Sequence, residues 1–223
     1  MKDVILTSLK ALLIAMRYNS RIGKKLKNFK KSKIHNPVGK MQKYLISSRE
    51  FYTDTPAVFR SILHTQLKKY QPSHALYRDK SNQNYHVQAA HFVEVCSQFE
   101  NIKSFIHQHV DLAKELGATG VHLTSSQFGE IARAKELGLE VVISTHTHEE
   151  VLEAGRLGAD AVTYGPVFAS PNKGEPKGID DLKELIDKCD INIFALGGIV
   201  EKVHVDMIEQ SRAYGFASIR YFY

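Results

Sequence analysis

Two consecutive glycines, Gly197 and Gly198, follow the apolar run at residues 194–196 and precede a helical pattern at residues 201–210. Neither glycine carries a Cβ atom, so the backbone can approach an anion closely. The first N–H groups of a helix lack intrahelical acceptors and favour negative charge. Lys173, in the loop after the preceding apolar run, adds a mobile cation. This pattern predicts a site for a small phosphorylated ligand, with a plain tight turn as the alternative.

Arg78 and Lys80 lie two residues apart at the end of another apolar run, residues 73–77. Side chains two apart along a strand point to the same face. The pair would therefore present two positive charges together, which suits an anionic ligand. A solvated strand terminus is the alternative.

His107 and His109 flank Gln108 at the end of a third apolar run, and His146 follows a fourth. Imidazole titrates near neutral pH, so a metal site or a general acid–base pair is one interpretation. Successive strand residues point to opposite faces, so the other interpretation is that these histidines are polar filler on different faces. We favour the second, because spacing alone does not indicate convergence.

Eight short apolar or β-prone runs begin near residues 43, 73, 102, 120, 140, 161, 191 and 216, and seven helical segments separate them. This alternation predicts a closed TIM (β/α)8 barrel, with an open doubly wound sheet as the rival. In a barrel the carboxyl ends of the strands meet at one face, where α/β folds carry their chemistry. Four residues follow the eighth run. The eighth helix is therefore expected to be absent.

The positive charge is concentrated in the first residues of the chain. Residues 1–43 hold twelve Lys and Arg against one acid, whereas the other 180 residues hold 18 bases and 23 acids. We expect a basic extension at residues 1–40, with a helix near residues 4–17, before a barrel at residues 41–223. A nucleic-acid face on the barrel is not expected.

The predicted helix of the extension is amphipathic. Asp3 and Lys10 argue against a signal peptide. A basic membrane-surface helix and an incidental extension both remain open. We hypothesise that this helix packs on the flank of the first and eighth strands in place of the absent helix. Its apolar face comprises Ile5, Leu9, Leu12, Leu13 and Met16.

The composition is that of an ordinary globular protein, with 43% hydrophobic residues. The sequence has no run of eighteen uncharged apolar residues, so no membrane span is expected. Cys96 and Cys189 lack metal-ligand spacing and are interpreted as reduced thiols of a cytoplasmic protein. The oligomeric state is open, and a homo-oligomer is one option.

Several motifs, in this order and spacing, resemble one family: thiamine phosphate synthase and its relative, the TenI thiazole tautomerase. The resemblance covers about residues 42–219 and is strongest from residue 110 onward. The matching pieces are YLISSR at 44–49, Arg78 and Lys80, VDLA at 110–113, GVHL at 120–123, STH at 144–146, GPVF at 165–168 and ALGGI at 195–199.

The resemblance implies joining of hydroxymethylpyrimidine pyrophosphate to thiazole phosphate, with release of pyrophosphate by way of a pyrimidine cation. Cations are needed around the leaving group, because negative charge builds there. By resemblance, Arg78, Lys80 and Lys173 would supply charge and Ser144 a hydrogen-bond donor. Gly165 belongs to the matching loop, and the paired glycines would hold the thiazole phosphate. Ser170 and Asn172 stand where the family usually has two threonines.

The departures from the family fall on its metal site. The synthase normally holds Mg²⁺ with an Asn-Asp pair after the third strand and an acid after the fourth; these positions are His107-Gln108 and Gln127 here. Mg²⁺ prefers carboxylate oxygens, so its binding is doubtful. TenI-type members share this loss, but their tautomerase histidine replaces the proline that this chain keeps as Pro166.

We therefore expect a thiamine-biosynthesis protein that binds a phosphorylated thiazole or pyrimidine, with pyrimidinyl transfer weakened or lost. One alternative is a TenI-like tautomerase that uses His107 or His109 as its acid or base. A second alternative is an accessory or regulatory protein that binds thiazole phosphate or thiamine phosphate without turnover. A generic phosphosugar enzyme is what the fold alone leaves open.

Overall fold

The computed structural model describes residues 40–171 and 173–223 of the 223-residue chain. Eight parallel strands pair in sequence order, and β1 pairs with β8 to close the barrel. The predicted TIM barrel is confirmed, and each strand lies within one or two residues of its predicted position. The strands are β1 (Gln42–Ile46), β2 (His74–Tyr77), β3 (Lys103–His107), β4 (Gly120–Leu123), β5 (Glu140–Thr145), β6 (Ala161–Tyr164), β7 (Asn192–Leu196) and β8 (Gly215–Ser218).

Helices surround the barrel, and the first of them was not predicted. This helix has four residues, too few for a helical repeat to be visible in the sequence. The helices are α1 (Arg49–Tyr52), α2 (Pro56–Tyr70), α3 (Tyr85–Cys96), α4 (Val110–Glu115), α5 (Glu130–Glu136), α6 (His148–Leu157), α7 (Gly178–Lys188) and α8 (Lys202–Gln210). None of these helices of the described ranges is long and apolar enough to cross a membrane.

The strands are buried on both faces, which is why they read as continuous apolar runs. Side chains that point inward form a small cluster in the barrel, and those that point outward pack against the helices. On β3, for example, Phe105 belongs to the inner cluster and Ile106 to the outer one. The inner cluster comprises Tyr44, Ile46, Leu76, Phe105, Val142, Ala161, Phe194 and Ala217.

A short 3-10 helix, Arg220–Phe222, follows β8 in the described chain, where a complete barrel would have its eighth α-helix. Phe222 stacks on Phe216 of β8 with ring centroids 5.5 Å apart, and it meets Tyr70 of α2 edge-on at 5.4 Å. These aromatic rings cover the outer face of β8. The predicted helix near residues 4–17, and its packing on this flank, lie outside the described residues.

We predict that Phe222→Ala lowers the free energy of unfolding by about 3–5 kcal/mol, because it removes a fully buried ring from the outer face of β8. Denaturant unfolding measures this loss. The matched control is Leu152→Ala on α6, where the side chain is 46% exposed. A Phe222→Ala variant that is as stable as this control would show that the aromatic cover is dispensable.

Candidate functional site at the mouth of the barrel

The turn that contains Gly197 and Gly198 is pressed against the loop that follows β6. Val167 N–H donates to Leu196 O at 2.8 Å, and Phe168 N–H donates to Gly197 O at 3.1 Å. The glycines have φ angles of 99° and 69°, a region that other residues rarely adopt. A Cβ on Gly197 would lie 2.6 Å from Pro166 Cα, and one on Gly198 would lie 2.5 Å from Ala169 O. Both positions therefore require glycine.

The same turn contains backbone amides that have no hydrogen-bond partner among the described residues. The N–H groups of Gly198 and Ile199 make no hydrogen bond within the described ranges. The N-cap residue of α8, Glu201, makes no side-chain capping bond. Ser218 Oγ donates to Ile199 O at 2.7 Å and fixes the turn to β8. Unpaired amides in a rigid turn that leads into a helix can form a site for an anion such as phosphate.

A hydrogen-bonded chain runs through the barrel interior below this mouth. Tyr44 Oη lies 2.9 Å from His122 Nδ1, and His122 Nε2 lies 2.9 Å from Ser144 Oγ. Tyr44 and His122 are buried, and Ser144 is half-buried. Ser144 is therefore the member of this chain that a ligand at the mouth can reach.

Burial keeps the histidines of the interior neutral. It lowers the pKa of His122 to about 3, with His107 and Arg78 adding smaller electrostatic effects. Burial also lowers the pKa of His107 to about 4, helped by the positive charges of Arg78 and Lys80. The ring centroids of His107 and His122 are 6.1 Å apart. At neutral pH both imidazoles carry one hydrogen each.

The predicted cations lie at different depths. Arg78 is half-buried and is held by its backbone N–H, which donates to Ser47 Oγ at 3.0 Å. Burial lowers the pKa of its guanidinium, which stays charged at neutral pH. Lys80 and Lys173 are exposed. Arg78 is therefore the desolvated cation of this set, and the two lysines are mobile charges in solvent.

The other predicted residues of the β6–α7 loop also differ in burial. Gly165 is buried, where a Cβ would collide with Leu196 O. Ser170 is half-buried, and its carbonyl accepts from Lys173 N–H at 3.2 Å. Asn172 lies outside the described residues.

The three strand-end histidines do not share one environment. His107 is buried next to His122, whereas His109 is exposed with its ring 4.9 Å from that of Tyr85. His146 Nδ1 lies 3.2 Å from Gly165 O. Residues 40–171 and 173–223 contain no cluster of three or more His, Cys, Asp or Glu side chains that could hold a metal.

The Gln127 side chain, at one of the two metal positions that the resemblance implies, is engaged with the protein. Gln127 Nε2 donates to Gln108 O at 3.1 Å, and Gln127 Oε1 accepts from Thr124 N–H at 3.1 Å. The amide therefore bridges the ends of β3 and β4. Mg²⁺ prefers carboxylate oxygens, and the Gln127 side chain is uncharged and already hydrogen-bonded, so this side chain does not fit the ion.

Three members of the interior network were not predicted as site residues, namely Tyr44, Thr163 and His122, the last of which lies in the matching GVHL piece. Tyr44 is hidden in the β-prone run of β1, and Thr163 in that of β6, where its Oγ1 lies 3.5 Å from Ser144 Oγ. Strand alternation puts both on inward faces. Their partners lie on other strands, so no local pattern reveals the contact.

We predict that Gly198→Ala destabilises the protein by about 1–3 kcal/mol, because the new Cβ is strained both by φ and by contact with the β6–α7 loop. Gly129→Ala is the matched control: its φ is −63° and a Cβ there meets no atom within 4 Å. Thermal unfolding of both variants measures the difference. Equal stability of the two would contradict the close packing of the turn. Any loss of ligand affinity in Gly198→Ala must be read against this loss of stability.

We predict that stability falls as the pH drops from about 6.5 towards 4. The unfolded chain protonates its histidines near pH 6.5, whereas the folded state resists protonation of His107 and His122. The stabilisation is thus complete above pH 6.5 and is lost on acidification. Denaturant unfolding at several pH values measures the free energy of unfolding. We expect this free energy to depend less steeply on pH in His107→Gln than in the wild type. A flat wild-type profile down to pH 4.5 would refute the prediction.

Comparison with known proteins gives a consistent picture. The family model described as thiamine monophosphate synthase matches residues 44–222. A thiamine-phosphate synthase of Dictyoglomus thermophilum is 35% identical over 152 residues, which are 65% of this chain and 65% of that protein. One of Dictyoglomus turgidum is 40% identical over 107 residues, 45% of this chain and 48% of that protein. The chain thus spans less than two thirds of either relative.

Solved structures share the barrel at low sequence identity. The thiamine phosphate pyrophosphorylase from Pyrococcus furiosus has a TM-score of 0.69 at 23% identity, covering 80% of this chain and 85% of that one. An N-acetylmannosamine-6-phosphate 2-epimerase from Clostridium perfringens has a TM-score of 0.63 at 13% identity, covering 81% and 87%. These likenesses concern the fold alone. The family model spans nearly the whole barrel, and the chain therefore belongs to the thiamine monophosphate synthase family.

Proposed function

We propose that this protein acts in thiamine biosynthesis by binding thiazole phosphate at the amides of the β7–α8 turn. The observation that carries the proposal is that rigid turn, with the amides of Gly198 and Ile199 unused by the described residues. A phosphate dianion would satisfy these donors and the start of α8 together. The family match and the names of the relatives support the identity of the ligand.

The proposed reaction is pyrimidinyl transfer from hydroxymethylpyrimidine pyrophosphate to thiazole phosphate. The carbon–oxygen bond to pyrophosphate breaks with its electron pair on the oxygen. The thiazole nitrogen then donates its lone pair to the resulting pyrimidine cation and forms the new carbon–nitrogen bond. Arg78 is the main candidate to stabilise the leaving group, because charge in a desolvated place acts more strongly than charge in water. Lys80 and Lys173 would add mobile charge, and Ser144 a neutral donor.

We propose that this transfer is slow. The Gln127 amide is committed to the bridge between β3 and β4, and it brings no charge to balance a metal on the pyrophosphate. The leaving group would be stabilised by Arg78, the lysines and hydrogen bonds alone. The same observation favours a second candidate, an accessory protein that binds thiazole phosphate or thiamine phosphate without turnover.

The tautomerase alternative is less well supported. An efficient general base has a pKa near the working pH, whereas His107, with a pKa of about 4, is a weak base. His109 is exposed, where water competes for its proton-transfer partners. Thiazole phosphate binding is common to all three candidates, and turnover separates them.

Calorimetry with thiazole phosphate and then with pyrophosphate tests the proposal. We expect both ligands to bind, pyrophosphate binding to persist in EDTA, and Arg78→Gln to weaken pyrophosphate binding by about 10- to 100-fold through loss of a charged hydrogen bond. Arg133→Gln is the matched control, since this arginine lies on the surface in ion pairs with Asp111 and Glu130. Absence of thiazole phosphate binding would refute the proposal. Pyrophosphate binding that requires Mg²⁺ would refute the metal-free leaving-group site.

Pyrophosphate release from the two synthase substrates separates slow transfer from the accessory role. Release that is measurable and depends on Arg78 supports transfer. No release from a protein that binds thiazole phosphate supports the accessory role.

A further inference from the structure

The interior chain of Tyr44, His122 and Ser144 contains more hydrogens than it has contacts. Each hydroxyl carries one hydrogen and the neutral imidazole carries one, but only two contacts join the three groups. One hydrogen is therefore left without an acceptor inside the chain. Which group holds it depends on the tautomer of His122, because each ring nitrogen is either a donor or an acceptor.

If His122 carried its hydrogen on Nδ1, it would donate to Tyr44 Oη, and Ser144 would donate to Nε2. The Tyr44 hydroxyl hydrogen would then have no acceptor among the described residues. Tyr44 is fully buried. Its ring packs against the rings of Phe105 and Phe194, with centroid distances of 5.7 and 5.1 Å. A buried donor without an acceptor is costly.

If His122 carries its hydrogen on Nε2, the unpaired hydrogen moves to Ser144. Tyr44 donates to Nδ1, and Nε2–H donates to Ser144 Oγ. Thr163 Oγ1, 3.5 Å away, is also placed to donate to this oxygen. The free hydrogen is then on the half-buried group at the mouth, where a ligand or solvent can accept it.

We infer that Tyr44 fixes His122 as the Nε2–H tautomer, and that Ser144 therefore presents its hydroxyl hydrogen to the ligand. Tyr44 and His122 are positioning residues that act through Ser144. The partner of Ser144 must be an acceptor, such as a phosphate or pyrophosphate oxygen, and an amine or ammonium donor is disfavoured there. The ligand class rests on the proposed function, whereas the tautomer does not.

Nitrogen NMR of the ligand-free full chain, labelled with ¹⁵N-histidine, tests the tautomer directly. The His122 signals are assigned by their disappearance in His122→Gln. At neutral pH we expect a protonated Nε2 and a pyridine-like Nδ1. A protonated Nδ1, or an imidazolium with both nitrogens protonated, would overturn the inference whatever ligand the protein binds.

A double-mutant cycle with pyrophosphate as the probe tests the path through Ser144. Ser144→Ala should weaken binding about tenfold and Tyr44→Phe about three- to tenfold. In the Ser144→Ala background, Tyr44→Phe should cause no further loss. An equal loss in both backgrounds would overturn the positioning role, because it would show a general structural effect.

Tyr164→Phe provides the matched control. Tyr164 is a buried tyrosine on the outer side of the barrel, where its hydroxyl donates to Asp181 at 2.6 Å. This variant should bind pyrophosphate like the wild type. A wild-type protein that binds neither pyrophosphate nor thiazole phosphate would contradict the proposed function, and the NMR result would still decide the tautomer.

Discussion

The site depends on two backbone segments that approach each other more closely than side chains allow. The β7–α8 turn lies against the loop after β6, and a Cβ at Gly197 or Gly198 would collide with that loop. In two hydrogen bonds between the segments, the amides of Val167 and Phe168 donate to carbonyl groups of the turn. Those of Gly198 and Ile199 have no such partner in the described chain. Rigidity and free donors thus arise from the same packing, which is what anion binding without reorganisation requires.

At the opposite part of the mouth, the Gln127 amide occupies a position where the resemblance implies a carboxylate. Gln127 connects the ends of β3 and β4 through two hydrogen bonds of 3.1 Å. A neutral amide can hold the two loop ends in place, but it adds no charge to the site. Arg78 becomes the principal fixed positive charge of the predicted set, and its partial burial increases its effect on an anion. In the function proposed above, this balance would favour ligand binding over rapid departure of pyrophosphate.

The sequence predicts the barrel well because each strand and helix has its own local pattern, and these patterns repeat along the chain. Each buried strand is an apolar run ending in polar or glycine residues, and each helix has its own periodicity. Elements without a repeat, such as the four-residue α1, leave no such trace. The packing of Phe222 on β8 likewise cannot be predicted from the sequence, because a single aromatic residue produces no periodic pattern.

The site is predicted only in part, for a related reason. Glycine and cation positions are visible because strand ends mark them. Hydrogen-bond partners are not, since Tyr44, His122 and Ser144 come from β1, β4 and β5 and meet only when the barrel closes. The hydrogen bonds of the Gln127 amide also depend on tertiary structure. Its residue type alone indicates only that the carboxylate implied by the resemblance is absent at this position.

The most direct test of the account follows the backbone amides themselves. Titration of ¹⁵N-labelled protein with thiazole phosphate reports each N–H by its chemical shift. The account predicts that the amides of Gly198 and Ile199 show the largest downfield proton shifts, as expected for new hydrogen bonds to a dianion. Saturable binding that leaves these two amides unchanged, with shifts elsewhere on the barrel, would contradict it.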